Sequence, residues 1–150
     1  MSLTRAEVLE LLPQQVPFRF VDELLEIDVR HAVGTYRFTG DESFYRGHFP
    51  GRPVTPGVIL LESMCQVGLV ALGIYLLGLE LPKEEVAKSV TLFTDAQVDF
   101  ERVVLPGQTV RTTAHRIAWR RRKLRSLVTM ELLDGTRIAG GVVAGMGVEA

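Results

Sequence analysis

The residues best suited to chemistry lie in one short stretch, Arg46-Gly47-His48-Phe49-Pro50-Gly51-Arg52-Pro53-Val54-Thr55-Pro56-Gly57, followed by Leu61-Glu62-Ser63-Met64-Cys65-Gln66. A histidine sits on a loop stiffened by Pro50, Pro53 and Pro56, and a lone carboxylate follows fourteen residues later in an otherwise apolar run. Histidine takes up a proton near neutral pH, so His48 is a candidate base. A carboxyl buried without a charge partner keeps its proton to higher pH, so Glu62 is a candidate acid. A base and an acid beside an apolar cavity are what reversible elimination of water requires. The competing readings are a structural His48 bonded to a loop carbonyl, and a Glu62 that merely pairs near a helix start.

Three neighbours bear on the same chemistry. Gly57 follows Pro56 at the start of the apolar run, where backbone N–H groups lack helical partners. Its N–H is free to approach a substrate carbonyl and stabilise negative charge there; tight packing of the turn is the alternative. Gln66 lies one turn beyond Glu62 on the same helical face, placed either to orient it or to hold water or substrate. Cys65 reads as a buried, inert thiol. No serine-centred elbow, phosphate loop or metal-ligand spacing occurs, so no metal is expected.

A basic cluster, Arg116, Arg120, Arg121, Arg122, Lys123 and Arg125, stands apart from this stretch without an intervening acid. It is either a solvated hairpin tip or a docking patch for an acidic partner, the positive charge speeding and orienting encounter. Nucleic acid is disfavoured, because the chain carries a net charge of −1 and no recognisable motif.

These residues must be positioned by a chain of 150 residues, read as one domain over 1–150. Its 47% hydrophobic and 23% charged residues suit a globular protein. One cysteine excludes an internal disulfide and fits a reducing, cytoplasmic setting. Thr4-Arg5-Ala6-Glu7 reads as a capping box opening a helix to about Leu12, not as a leader. Val58 to Leu79 is apolar enough to span a bilayer, but Glu62, Ser63 and Gln66 make a core helix the better reading. Thr55 is expected as its N-cap and Pro56 as its first residue.

Strands are expected over Phe18–Val29, Ala32–Phe38, Val90–Val104, Thr109–Arg120, Leu124–Leu133 and Thr136–Met146, with Lys83–Lys88 a polar connector. One long apolar helix among about six mostly antiparallel strands is an α+β domain in which the sheet wraps the helix. Its strand edges invite pairing with a second copy.

Residues 46–66 resemble the signature of the FabZ-type β-hydroxyacyl-(acyl-carrier-protein) dehydratases, through Gly47-His48-Phe49-Pro50-Gly51-Arg52-Pro53-Val54-Thr55-Pro56-Gly57 and Leu61-Glu62-Ser63-Met64-Cys65-Gln66. Leu12-Pro13, Pro17-Phe18-Arg19-Phe20-Val21-Asp22, Phe100 and Val104-Leu105-Pro106-Gly107 extend the likeness. The resemblance implies a hotdog fold and a homodimer, often assembled as a trimer of dimers. It also implies that each site pairs the histidine of one subunit with the glutamate of the other. The substrate is carried on the phosphopantetheine of an acyl carrier protein, with no further cofactor, and the acyl chain enters an apolar tunnel at the dimer interface.

On this reading a (3R)-hydroxyacyl thioester loses water to give the trans-2-enoyl thioester. His48 removes the α-proton, Gly57 N–H steadies the enolate oxygen, and Glu62 protonates or positions the departing hydroxyl. Arg120, Arg121, Arg122 and Lys123 would dock the carrier. Thr55, Ser63 and Cys65 depart from the family's usual Met and alanines, and Gln14 and Gln15 from its common basic or aromatic residues. These departures point to substrate choice, in fatty-acid or a specialised polyketide or aryl polyene pathway, and not to reaction type. A glutamate in place of aspartate favours the plain dehydratase over the dehydratase–isomerase. The alternatives are a hotdog thioesterase, which would free thiol, and a silent carrier-binding module, which would be expected to lack His48 or Glu62.

Overall fold

The computed structural model describes residues 2–149. A first helix, α1, runs over Arg5–Leu11, and the Thr4 and Glu7 side chains cap it reciprocally as expected. Two short strands, β1 (Glu23–Ile27) and β2 (His31–Arg37), precede the histidine loop. The long helix α2, Gly57–Gly78, follows, then a single turn α3, Lys83–Val86. The chain ends in four long strands, β3 (Ser89–Phe100), β4 (Thr109–Arg120), β5 (Lys123–Leu132) and β6 (Arg137–Glu149).

All six strands form one antiparallel sheet in the order β1-β2-β4-β5-β6-β3. Val110, Ala114, Leu124, Val128, Met130 and Val143 from the sheet meet Met64, Val67, Leu69, Leu72 and Leu76 from α2 in the core. The helix is apolar on most sides because the sheet curls around it, with 72% of its most apolar window buried, as a core helix requires. Gly68 marks the closest approach of helix and sheet. A Cβ there would stand 2.7 Å from Val128 Cγ1 and 3.2 Å from the Ala114 Cβ.

Around this contact, Gln66–Ala71 winds as a π segment between two α-helical stretches, and the buried Ser126 hydroxyl donates to Gly68 O at 2.7 Å. Nothing in the residue pattern announced that irregularity.

Four expectations change. Residues 18–22 are not strand: Phe18 O, Phe20 N and Phe20 O bond to side chains of α2, and the chain reaches β2 at Asp22, whose N–H donates to Thr35 O at 2.7 Å. Thr55 is not the helix N-cap, since Pro56 holds that position with φ −59° and ψ 136° and the Thr55 hydroxyl is used elsewhere. Lys83–Val86 is a helical turn that buries Val86, not a bare connector. The strand expected to reach Val104 stops at Phe100, the buried Val104 lending its carbonyl to Thr55 N at 2.9 Å.

Candidate active site

His48 is held by its neighbours from three directions. Its backbone N–H donates to Phe44 O at 3.0 Å, at the end of a short 3₁₀ turn over Ser43–Arg46. Its carbonyl accepts from Val54 N at 2.9 Å, which closes the loop. Its ring Nδ1 lies 2.8 Å from Val54 O. A carbonyl oxygen only accepts, so the ring proton of neutral His48 sits on Nδ1 and Nε2 keeps a lone pair. The loop-carbonyl bond of the structural reading therefore also leaves Nε2 unengaged, as the catalytic reading requires. Phe49 stacks on the ring at 4.2 Å between centroids.

The strand-like segment Val54–Thr55 is itself fixed. Thr55 N donates to Val104 O, and the buried Thr55 hydroxyl shares a 2.5 Å hydrogen bond with the Tyr45 hydroxyl. Removing one partner strands the other in the interior. Tyr45→Phe and Thr55→Val are each expected to cost about 1–3 kcal/mol, whereas the double variant costs clearly less than their sum. Urea unfolding of the four proteins measures this coupling, and strict additivity would show the pair to be energetically idle.

Glu62 projects from the second turn of α2, half-buried. Burial pushes its carboxyl pKa up, opposed by the hydrogen bond from Gln66 Nε2 to Glu62 Oε2 at 2.8 Å. Gln66 is fully buried and does more than orient Glu62. Its Nε2 also donates to Phe18 O at 2.8 Å, and its Oε1 accepts from Phe20 N at 2.7 Å. Ser63, in place of the family's usual alanine, donates to Phe20 O at 2.8 Å. With both amide hydrogens and the oxygen engaged inside the chain, Gln66 positions Glu62, and a contact to substrate would require releasing one of these bonds. The signal for this role was legible only as spacing, because Phe18 and Phe20 lie more than forty residues away.

Gly57 opens the helix. The helical ladder begins with Ile59 and Leu60 donating to Pro56 O, so the Gly57 N–H precedes it. A Cβ on Gly57 would meet the Phe100 ring at 3.7 to 3.8 Å, an ordinary contact. Packing within the chain therefore does not demand a glycine here, which leaves open approach to the N–H as the better account. Among the described residues, no hydrogen bond or ion pair joins His48 to Glu62 within one chain. No three His, Cys, Asp or Glu side chains converge to hold a metal ion among them either. Cys65 is buried, its thiol pKa pushed up to about 12.

The basic residues divide between two places. Arg121 and Arg122 form the β4–β5 turn, both in the left-handed region with φ 52° and 63°. Arg120, Arg121, Lys123 and Arg125 line a groove floored by Ala118 and Met146, and Arg125 reaches Asp95 of β3 at 3.3 Å. Arg122 shares a groove beside Glu80 and Leu81 with Arg120 and Arg121 and also borders an apolar cleft between α2 and the sheet, where Pro13, Leu69, Gly73, Ile74 and Trp119 are among the lining residues. Neither His48 nor Glu62 lines this cleft.

A sheet wrapped around one buried helix, with a locked histidine at the helix entrance and a half-buried carboxyl in its second turn, defines a hotdog-fold protein of the dehydratase type. The FabA-like domain family profile matches residues 12–141. The chain is 40% identical over 143 residues to the 3-hydroxyacyl-[acyl-carrier-protein] dehydratase FabZ of Herpetosiphon aurantiacus, covering 93% of this chain and 94% of that one. The FabZ of Chloroflexus aggregans is 40% identical over 114 residues, 73% of this chain and 72% of its own. The chain belongs to the FabZ family of 3-hydroxyacyl-[acyl-carrier-protein] dehydratases, and its activity is that of a hydro-lyase.

Solved structures share the fold at low identity. A dehydratase heterocomplex from Xenorhabdus doucetiae superposes with a TM-score of 0.75 at 13% identity, over 95% of this chain and 91% of that one. A thioesterase from Haemophilus influenzae gives 0.68 at 12%, over 99% and 93%. At such identities these likenesses speak of architecture alone.

Proposed function

We propose that the chain removes water reversibly from a (3R)-hydroxyacyl thioester borne on an acyl carrier protein, giving the trans-2-enoyl thioester. The observation that carries this reading is the His48 Nδ1–Val54 O bond, which presents an unprotonated Nε2 at the helix entrance. His48 Nε2 takes the α-proton. The Gly57 N–H, ahead of the helical ladder, receives the developing enolate oxygen at the thioester carbonyl. Glu62, whose carboxyl pKa is raised by burial, delivers a proton to the departing 3-hydroxyl, and Gln66 holds the carboxyl in line. The elimination is redox-neutral, so proton transfers alone balance it and no redox cofactor is called for.

The site is completed by a second copy. β3 ends the sheet with its outer edge unpaired along twelve residues, and Leu92, Phe93 and Phe100 are 46–55% exposed on it. Antiparallel pairing of β3 with its copy about a twofold axis sets the Phe100 end of one strand beside the Ser89 end of the other. Gly57, against Phe100, then faces the partner's apolar cleft, which Ser89 and Thr91 rim. The acyl chain lies in that cleft, and further assembly into a trimer of dimers is the family-like extension. The cytoplasm, where a lone reduced cysteine is stable, is the proposed compartment.

The assay is hydration of crotonyl thioester, on pantetheine or on carrier protein, followed by enoyl absorbance and free thiol together. Loss of absorbance without thiol release is expected. Thiol release would assign a thioesterase, and no turnover of a carrier-borne substrate would assign a binding module.

The groove over Arg120, Arg121 and Lys123 is the proposed dock for the acidic carrier. Two left-handed arginines in a two-residue turn are held against backbone preference, since such turns favour Asn-Gly. Arg121→Asn/Arg122→Gly is therefore expected to raise stability by about 1 kcal/mol. Within the groove, Arg120→Ala/Lys123→Ala leaves the Arg122-lined cleft intact and should raise KM several-fold for the carrier-borne substrate while leaving KM for the pantetheine thioester unchanged. Equal effects on both substrates would remove the carrier from this surface.

A further inference from the structure

Glycine inside a helix costs stability relative to alanine, so each glycine of α2 calls for a reason. Two of them have a steric one. At Gly68 a Cβ would press on Val128 and Ala114, and at Gly78 it would stand 2.6 Å from Leu3 Cδ1. Gly73 is different. A Cβ there would touch only Leu124 Cδ2, at 3.8 Å, an ordinary van der Waals distance. Its φ lies in the helical region that any residue adopts, within the α-helical stretch Leu72–Gly78. Neither packing nor backbone geometry within the chain asks for glycine at 73, yet the residue lies in the wall of the apolar cleft.

We propose that Gly73 sets the depth of the acyl site: the cleft holds only about 20 Å³ in the single chain, and by omitting a side chain Gly73 lets it widen for the distal carbons of a longer acyl chain. This rests on the reading that the cleft receives the acyl group. Ile74 and Leu69 on the helix and Trp119 and Leu124 on the sheet line the cleft with Gly73, and although Ser89, Thr91 and Arg122 also border it, most of the lining is apolar and suited to methylenes. A side chain at 73 would fill the volume that the last methylenes occupy and leave untouched the groups that act on the first three carbons, since neither His48 nor Glu62 borders the cleft. Chain length and reaction chemistry are thus governed by separate residues.

The test is kcat/KM for wild type, Gly73→Ala and Gly73→Leu with carrier-borne 3-hydroxyacyl substrates from four to sixteen carbons. Activity on the four-carbon substrate should stay within about twofold in both variants. The longest substrates the wild type accepts should lose about tenfold or more in Gly73→Leu and less in Gly73→Ala, because one methylene in an apolar pocket is worth about 10- to 200-fold. Gly73→Ala should also melt higher than wild type, through helix propensity, so it reports even if Gly73→Leu folds poorly. A length profile unchanged in both variants overturns the proposal, as does an equal loss at all lengths or a wild type confined to four carbons. A wild type inactive on every length would instead sink the dehydratase reading beneath it.

Discussion

The His48→Gln enzyme is expected to fold normally and to lose about 10²- to 10⁴-fold in kcat, the range that a positioned general base supplies. Glutamine preserves an amide N–H able to reach Val54 O, so the loop bond that orients residue 48 survives. What it lacks is the basic lone pair that histidine presents at Nε2. The loss should therefore appear in kcat, with KM and melting temperature close to wild type. Single-turnover hydration of a crotonyl thioester, alongside thermal melting, measures both. Retention of more than about a tenth of wild-type kcat would remove His48 from the proton transfer.

Inactive variants should rescue one another. If each site draws its histidine from one subunit and its glutamate from the other, a His48→Gln/Glu62→Gln heterodimer holds one intact site and one doubly damaged site. Equal amounts unfolded together and refolded should recover about a quarter of wild-type activity, from half of the dimers at half strength. Recovery indistinguishable from the separate variants would place both residues of a site in one chain. The absence of any His48–Glu62 bond within the chain and the bare edge of β3 both favour rescue.

The Glu62→Gln parent carries its own pH signature. Burial raises the Glu62 pKa above its ordinary value near 4.5. A raised carboxyl pKa contributes stability below the unfolded-state value that is lost as pH rises through the folded one. The glutamine variant escapes that loss while still accepting the Gln66 bond. Its melting temperature should match wild type near pH 4, exceed it as pH rises past the unfolded-state value, and stay above it by a constant margin once the carboxyl is ionised in both states. A wild type that melts higher than the variant at pH 8 would mean that the carboxylate is stabilised, not penalised, by its surroundings.

Much of this protein was determined by local chemistry that the residue order carries directly. The capping box at Thr4, the proline-stiffened His48 loop, the apolar run of α2 and the paired strands β4, β5 and β6 depend on residues near one another in sequence. Context and spacing marked His48 and Glu62, because a carboxylate in an apolar helix is costly without a use and it follows a histidine on a proline-stiffened loop by fourteen residues. The tertiary structure decided what depends on distant partners. Gln66 and Ser63 draw residues 18–20 out of the expected strand and onto α2, because their side chains satisfy the Phe18 and Phe20 backbone.

Thr55 gave up the cap for Tyr45, ten residues back, since a buried hydroxyl needs a partner more than a helix needs a side-chain cap. The π segment lies where Gly68 brings α2 close to Val128 and Ala114, a contact that no window of sequence contains. Gly73 and Gly68 look alike in the sequence. Only the packed helix shows that one is crowded and the other open, because a glycine's reason lies in what would touch its missing side chain.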